Sequence, residues 1–574
     1  MPISKILVAN RSEIAIRVFR AANELGMKTV AIWAEEDKLA LHRFKADESY
    51  QVGRGPHLAR DLGPIESYLS IDEVIRVAKL SGADAIHPGY GLLSESPEFV
   101  DACDAAGIIF IGPRAETMRR LGNKVSARNL AIEIGVPVVP ATEPLPDDMA
   151  EVARMADEIG YPIMLKASWG GGGRGMRAIR DPKDLAREVV EAKREAMAAF
   201  GKDEVYLEKL VERARHVESQ ILGDTHGNAV HLFERDCSVQ RRNQKVVERA
   251  PAPYLTEAQR QELAAYSLKI ANATSYVGAG TVEYLMDIDT GAFYFIEVNP
   301  RIQVEHTVTE EVTGIDIVKA QIHILEGEVI GTPASGVPPQ SEIRLNGHAL
   351  QCRITTEDPE QNFIPDYGRI TAYRGATGFG IRLDGGTAYS GAVITRFYDP
   401  LLEKVTAWAP TPEETIHRMD RALREFRIRG VAPNLTFLEA IIGHPEFRNN
   451  TYTTRFIDST PELFEQVKRQ DRATKLLTYL ADVTVNGHPE TKGRPLPLAD
   501  AAAPRVPHVE SDVKPGTKQL LDEHGPKQFA EWMRAQKRVL ITDTTMRDGH
   551  QSLLATRMRT HDIAAVAGTY ARAL

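Results

Sequence analysis

The sequence predicts an α/β protein of several domains, α+β when its later hairpins are counted. Three observations carry that reading: a strand–helix–strand alternation at the N-terminus, a long hairpin around residue 290, and a new strand–loop–helix start near residue 538. At roughly 100–200 residues per domain, the 574 residues provide for several domains.

The opening KILVANRSEIAIRVFRAANELGMKTVAIW contains a short apolar strand at 5–8. Ile14, Val18 and Leu25 then recur at helical spacing, Gly26 stops the helix, and the next strand begins at Thr29. A second alternation ends in ADAIHPGYG, Ala83–Gly91. Such a pattern gives a parallel sheet with helices on both faces and places chemistry at the carboxyl ends of its strands. Residues 1–115 form this first unit. Residues 116–331 change to longer hairpins and a glycine run, and 332–456 are strand-rich with turns such as LDGGTAYSG. Residues 457–535 are charged and weakly periodic, with RPLPLADAAAPRVP as the clearest linker. Residues 536–574 read as a strand, a polar loop and the start of a helix. A lone βα unit cannot bury its own faces, so the sequence is expected to be cut within a larger domain. There is no internal repeat.

Hydrophobic residues make up 43% and charged residues 26%, a globular composition. A formal charge of -9 argues against nucleic acid as the main partner. Three cysteines without a CxxC pair exclude a disulfide framework and a cysteine zinc site, and they fit a reducing compartment. No stretch approaches the roughly 18 apolar residues that span a bilayer, and no secretory h-region opens the chain. The expected location is cytoplasmic, or a matrix after removal of an import signal, with no membrane partner.

Four segments carry chemistry. In KASWGGGGRGM, Lys166–Met176, successive glycines including Gly171, Gly172 and Gly173 let backbone amides approach phosphate closely. A glycine run alone is more often a surface loop, and the chain has no Walker A pattern. The leading strand and the interrupting Arg174 favour a nucleotide lid. The hairpin GTVEYLMDIDTGAFYFIEVNPRIQVEH, Gly280–His306, turns at Asp289-Thr290-Gly291. Pairing centred on Thr290 sets Glu283 opposite Glu297, a like-charge contact that a divalent cation would relieve. Alternation then lines Glu297, Asn299, Arg301, Gln303 and Glu305 along one face, with Ile296, Val298, Ile302 and Val304 on the other. The competing reading is a solvated polar face. In ERDCSVQRRNQKVVERAPAP, Glu234–Pro253, Arg241, Arg242 and Lys245 suit anions, while Gln240 and Asn243 suit a base or ribose. LEKLVERARHVESQILGD places Glu208 before backbone that could read an adenine edge, and His216 reads equally well as a structural histidine.

Taken in order, LVANRSEIAIR, HPGYGLLSE, GNKVSARNLA, LKASWGGGGRGM, ERDCSVQRRNQKVVE, FIEVNPRIQVEH and GHALQCRI resemble the ATP-grasp biotin carboxylases over residues 1 to about 455. The resemblance implies a Rossmann-like pre-ATP-grasp domain, an ATP-grasp domain with a mobile lid, and a C-terminal domain closing the site. It assigns ATP to Lys124, Lys166, the glycine run, Glu208, Leu210, His216, Gln240 and Asn243. Magnesium (or manganese) falls to Glu283, Glu297 and Asn299, and bicarbonate to Arg301, Gln303 and the Val304 backbone, with Lys245 nearby. Glu305 becomes the base that deprotonates bicarbonate, and Arg353 stabilises the enolate of biotin. Many family members have His where this chain has Asn243.

The tail ITDTTMRDGHQSLLATRMRTHD resembles the first strand and loop of the carboxyltransferase TIM barrel of pyruvate carboxylases and oxaloacetate decarboxylases. There Asp548 would bind the catalytic divalent metal and Arg547 and Gln551 would hold pyruvate, each in an incomplete site. The combination points to single-chain pyruvate carboxylases. It implies a biotin carrier domain absent from this chain and a homo-oligomer, a tetramer at full length and a dimer through the biotin carboxylase part. It also implies acetyl-CoA as activator, bound by Arg427, Arg429 and Arg472. By composition alone the arginines of HRMDRALREFRIRG are a solvated helix face. The rivals are a biotin carboxylase component of an acyl-CoA carboxylase, a carboxylate–amine ligase on the same core, and a non-catalytic assembly fragment.

Overall fold

The computed structural model describes residues 2–167, 177–200, 203–465, 472–494, 514–553 and 558–573. It divides into two units, Met1–Lys468 and Arg469–Leu574. In the first unit, β1 (Lys5–Val8), β2 (Lys28–Trp33), β3 (Glu48–Gln51), β4 (Ala85–His87) and β5 (Ile109–Phe110) make one parallel sheet, ordered β3-β2-β1-β4-β5. Ile6, Leu7 and Val8 of the central strand are fully buried, worth about 1.5–3 kcal/mol for each large side chain. Ile14 and Val18, on the helix Ser12–Glu24, cover this sheet. The strand order reverses between β1 and β4, where the Asn10 side chain donates to the carbonyls of Pro88 and Tyr90 and ties down the HPGYG loop.

Next, β6 (Ile163–Ala167), β7 (Arg177–Ile179) and β8 (Val205–Lys209) form a small antiparallel sheet. The helix Leu185–Phe200 packs Val189, Ala192 and Ala196 against it. Gly171, Gly172 and Gly173, between β6 and β7, lie outside the described residues.

The site is carried by an eight-stranded antiparallel sheet. It contains β9 (Ala214–Gly223), β10 (Ala229–Arg241), β11 (Gln244–Ala250), β12 (Gly278–Asp287), β13 (Phe293–Asn299), β14 (His348–Thr355), β15 (Ile381–Gly385) and β16 (Leu401–Ala409), ordered β13-β12-β9-β10-β11-β14-β16-β15. The helix His306–Thr313 lies on the face of its middle strands. The sheet therefore runs unbroken from the 280–299 hairpin to strands beyond residue 400.

That hairpin corrects one expectation. Thr281, Val282 and Glu283 face Asn299, Val298 and Glu297 as centring on Thr290 requires, but the register then slips by one residue, pairing Tyr284 with Phe295. The extra residue is Ile296, expected on the apolar face and found 37% exposed. The alternating polar face also ends early: β13 stops at Asn299, before Pro300, and Glu305 occupies the N-cap of the helix His306–Thr313.

In the second unit, helices cover Arg472–Asn486, Thr517–Ala535 (broken at Gly525, before Pro526) and Thr560–Ala573. The strand expected near residue 538 is not formed. Residues 537–544 are irregular, Val539 and Ile541 are 88% and 89% exposed, and a π-helical turn follows at Thr545–Leu553. A strand needs a hydrogen-bonded neighbour, and the described residues pair none with this segment. Among the described residues no helix is long and apolar enough to cross a membrane.

Candidate active site

Register builds the site. Across four adjoining strands, Arg235 pairs with Glu218, Glu218 with Glu283, and Glu283 with Glu297, a row of one cation and three carboxylates. Lys245, near the start of β11, reaches across this row. Its ammonium donates to Glu218 (2.5 Å), Glu283 (2.9 Å) and Glu305 (2.6 Å). On the other side the fully buried Arg235 donates to Glu218 at 2.5 Å, and further to Gln220, Thr309, Thr281 and Gln303. Glu218 thus sits between two cations.

Glu283 is the most heavily bonded of the three carboxylates. Besides Lys245 it accepts from the amides of Asn299 and Gln303, both at 2.9 Å, and His216 Nε2 stands 3.3 Å away. Burial opposes its ionisation, but the Lys245 ammonium and His216 outweigh burial and hold the carboxyl well below the usual carboxylate range. Glu305 behaves alike: burial is overcome by Lys245, then Arg353 and Arg235, and its acidity rises strongly. The same carboxylates, against burial, push Lys245 well above an ordinary lysine. Like-charge repulsion in the hairpin is therefore relieved by protein cations, with Lys124 on Glu297 at 3.1 Å where both side chains are substantially exposed, 67% and 32%.

Arg353, on β14, donates to Glu305 at 3.0 Å and to the fully buried Glu248 at 2.5 Å. Gln351 donates to the other oxygen of Glu248. Arg301 is engaged by Glu95 (2.8 Å) and Asn299 (3.0 Å). Lys245, Glu283, Asn299, Gln303, Glu305, His216 and Arg353 thus form one bonded cluster, with Arg301 attached through Asn299.

The remaining expected residues stand as follows. Lys166 pairs with Glu208 on the neighbouring strand of the small sheet. The Leu210 amide donates to the Pro162 carbonyl, so as a donor it is already taken. Gln240 donates to the Cys237 carbonyl. Asn243 is exposed, at φ 62° beside Arg242 at φ 50°, in the turn joining β10 and β11. Asparagine tolerates that left-handed backbone, which accounts for the residue type without a ribose. Arg427 and Arg429 alternate around buried Ile428 on a short strand and are both exposed. Arg472 begins a helix, and its side chain lies outside the described residues. The pairs Arg421–Glu425 and Arg424–Asp420 are ordinary i,i+4 contacts. In the second unit Asp548 accepts from Arg547 and Ser552, and Arg547 and Gln551 are exposed.

Glu218, Arg235 and Glu248 escaped the sequence reading. A period-two reading of HVESQ sets Glu218 on the face of His216 and Gln220, which was signal enough. Nothing local marks Glu248, because its significance comes from Gln351, its partner across the sheet.

Magnesium favours oxygen ligands, and Glu283, Glu297 and Asn299 supply them at adjoining positions of one hairpin. Among the described residues the ligating atoms that already converge are those of His216, Glu218 and Glu283, and of Glu218, Cys237 and Glu305. Both sets include Glu218, which the sequence reading left out. The oxygen-donor chemistry of the hairpin fits a hard cation.

A parallel N-terminal sheet, a small three-stranded sheet and a charged antiparallel sheet, matched in order by family models, place the chain among the ATP-grasp biotin carboxylases. Three family models match in series: the biotin carboxylase N-terminal domain over residues 2–118, the carbamoyl-phosphate synthase L chain ATP-binding domain over 123–332, and the biotin carboxylase C-terminal domain over 351–459. The biotin carboxylase domain of Hydrogenobacter thermophilus 2-oxoglutarate carboxylase, solved with MgADP and bicarbonate, is 43% identical. The match covers 82% of this chain and 100% of that one, with a TM-score of 0.74. The chain belongs to the biotin carboxylase family.

The likeness extends beyond that domain. Pyruvate carboxylase of Bacillus subtilis is 50% identical over 98% of this chain and 48% of its own length. A Rhizobium etli pyruvate carboxylase solved with acetyl coenzyme-A is 86% identical over 100% of this chain and 50% of that one, with a TM-score of 0.77. The chain spans about half the length of the pyruvate carboxylases it matches.

Proposed function

We propose that this chain carboxylates biotin with bicarbonate at the expense of ATP, as the first half-reaction of a pyruvate carboxylase. The single observation that carries the reading is the Lys245 ammonium shared by Glu218, Glu283 and Glu305, with Arg353 on the far side of Glu305. Lys166, Glu208, His216 and Gln240 hold ATP, and Arg301 and Gln303 orient bicarbonate beside Glu305. Glu305 takes the bicarbonate proton, the freed oxygen attacks the γ-phosphorus, and ADP leaves. The carboxyphosphate so formed breaks to carbon dioxide and phosphate; the phosphate accepts the N1 proton of biotin, Arg353 steadies the resulting enolate, and N1 then attacks the carbon dioxide to give carboxybiotin. Held by two cations, Glu305 is ionised but weakly basic, so proton transfer requires bicarbonate to draw Lys245 or Arg353 away from it. Magnesium bound at Glu283, Glu297 and Asn299 would neutralise charge on the transferring phosphate.

The biotin carrier domain, pyruvate as final acceptor, an oligomer and acetyl-CoA as activator belong to the same proposal. The pyruvate carboxylases named above support pyruvate as acceptor, and the Rhizobium etli structure solved with acetyl coenzyme-A supports that activator. Phosphate release from ATP by the purified chain, measured with and without bicarbonate and free biotin, tests the reading. Release that rises with both substrates supports it, and release indifferent to both refutes it.

A further inference from the structure

Lys404 lies on β16, directly opposite Arg353 on β14. Its side chain is fully buried, an expensive place for an ammonium unless it is committed to partners. It has two. Its Nζ donates to the Val304 carbonyl at 2.9 Å and stands 3.1 Å from a Glu13 carboxylate oxygen. Glu13 also accepts from the Tyr90 hydroxyl of the HPGYG loop. Glu13 is held in place by backbone, because Gly386 approaches so closely that a Cβ there would overlap Ser12 Oγ and the Glu13 amide.

The Val304 carbonyl belongs to the peptide plane that carries the Glu305 amide, so a donor fixed on that oxygen orients Glu305 from its backbone. Arg353, the cross-strand partner of Lys404, grips the Glu305 carboxylate from the side-chain end. We propose that Lys404 is a positioning residue for bicarbonate activation, anchoring the Val304–Glu305 peptide while Arg353 holds the carboxylate. A lysine required only for folding could pair with Glu13 alone. The bond to a backbone carbonyl one residue from the base is what that role leaves unexplained.

The inference rests on the bicarbonate assignment above, and the experiment separates the two. Glu13→Gln serves as reference, and Glu13→Gln/Lys404→Met removes both buried charges together, leaving no lone ion. Lys404→Gln, polar but too short to reach the carbonyl, is the second variant. Each is titrated with bicarbonate by calorimetry on the MgADP-loaded protein and by bicarbonate-dependent ATP cleavage, and Arg301→Ala is run alongside. The inference expects Glu13→Gln to stay within about 2-fold of wild type. Both Lys404 variants should weaken bicarbonate about 10-fold, the weight of one charge-assisted hydrogen bond, with ATP affinity unchanged. If Arg301→Ala weakens bicarbonate and the Lys404 variants do not, the role of Lys404 is refuted alone. If wild type binds no bicarbonate, or Arg301→Ala is without effect, the assignment falls and the inference with it. Equal losses of ATP and bicarbonate affinity in the Lys404 variants would mark a structural lysine and overturn the proposal.

Discussion

Two polar clusters in this chain, one expected as a full site and one as an incomplete one, differ in how the structure holds them. Around Lys245, charges are buried, each carboxylate meets a cation at hydrogen-bond distance, and the strands that present them are paired on both sides. Around Asp548, the side chains are exposed, and Val539 and Ile541, in the segment expected as a strand, face solvent. Chemistry-bearing residue types alone do not make a site. The first cluster has a sheet to hold it, and the described residues give the second none.

The largest expected effect lies at the proposed base. Glu305→Gln should lower bicarbonate-dependent ATP cleavage about 10²–10⁴-fold while ATP affinity, read by calorimetry, is retained. Turnover like that of wild type would remove Glu305 from the chemistry. Lys245→Met comes next, because it takes one cation from three buried carboxylates and leaves Glu283 without its ammonium partner. Unfolding free energy at neutral pH should fall by about 3–5 kcal/mol, and a melt within about 0.5 kcal/mol of wild type would mean that the cluster is solvated rather than buried.

A smaller effect concerns pH. Burial raises the Glu403 carboxyl to about 7, although Tyr373 donates to it. Its unfolded value is about 4.3, so the folded state keeps a proton that the unfolded chain releases. Stability from this group is full below about pH 4.3 and is lost as pH rises through 7. Glu403→Gln, which mimics the protonated form, should therefore nearly match wild type near pH 4.5 and exceed it by on the order of 3–4 kcal/mol at pH 8. Parallel stability curves for the two proteins would contradict the burial of that carboxyl. The smallest change sharpens the contrast between clusters: Asp548→Ala, on an exposed turn, should move neither melting temperature nor ATP cleavage by this chain beyond about 0.5 kcal/mol equivalent.

Much of this was legible in the sequence because periodicity and turn chemistry are local. The parallel sheet followed from alternation around Ile14 and Val18, and Asp289-Thr290-Gly291 placed Glu283 opposite Glu297. What was lost depended on neighbours distant in sequence. The bulge at Ile296 is set by pairing across the hairpin rather than by any local residue pattern, and Glu218 gains meaning only beside Glu283 and Arg235. Beside the divalent cation expected at the hairpin, the protein provides Lys245 from β11, three places from β12 in the sheet. Nothing local marks Lys404, whose carbonyl partner Val304 lies 100 residues away in the chain.

The central claim is that the Lys245 cluster makes carboxybiotin. The direct measurement is transfer of labelled carbon from bicarbonate to free biotin by the purified chain, with ATP and magnesium, quantified as acid-labile product against phosphate released. The account predicts labelled carboxybiotin that requires ATP and disappears with Glu305→Gln. Phosphate release with no label in biotin, or labelling that survives Glu305→Gln, would contradict it.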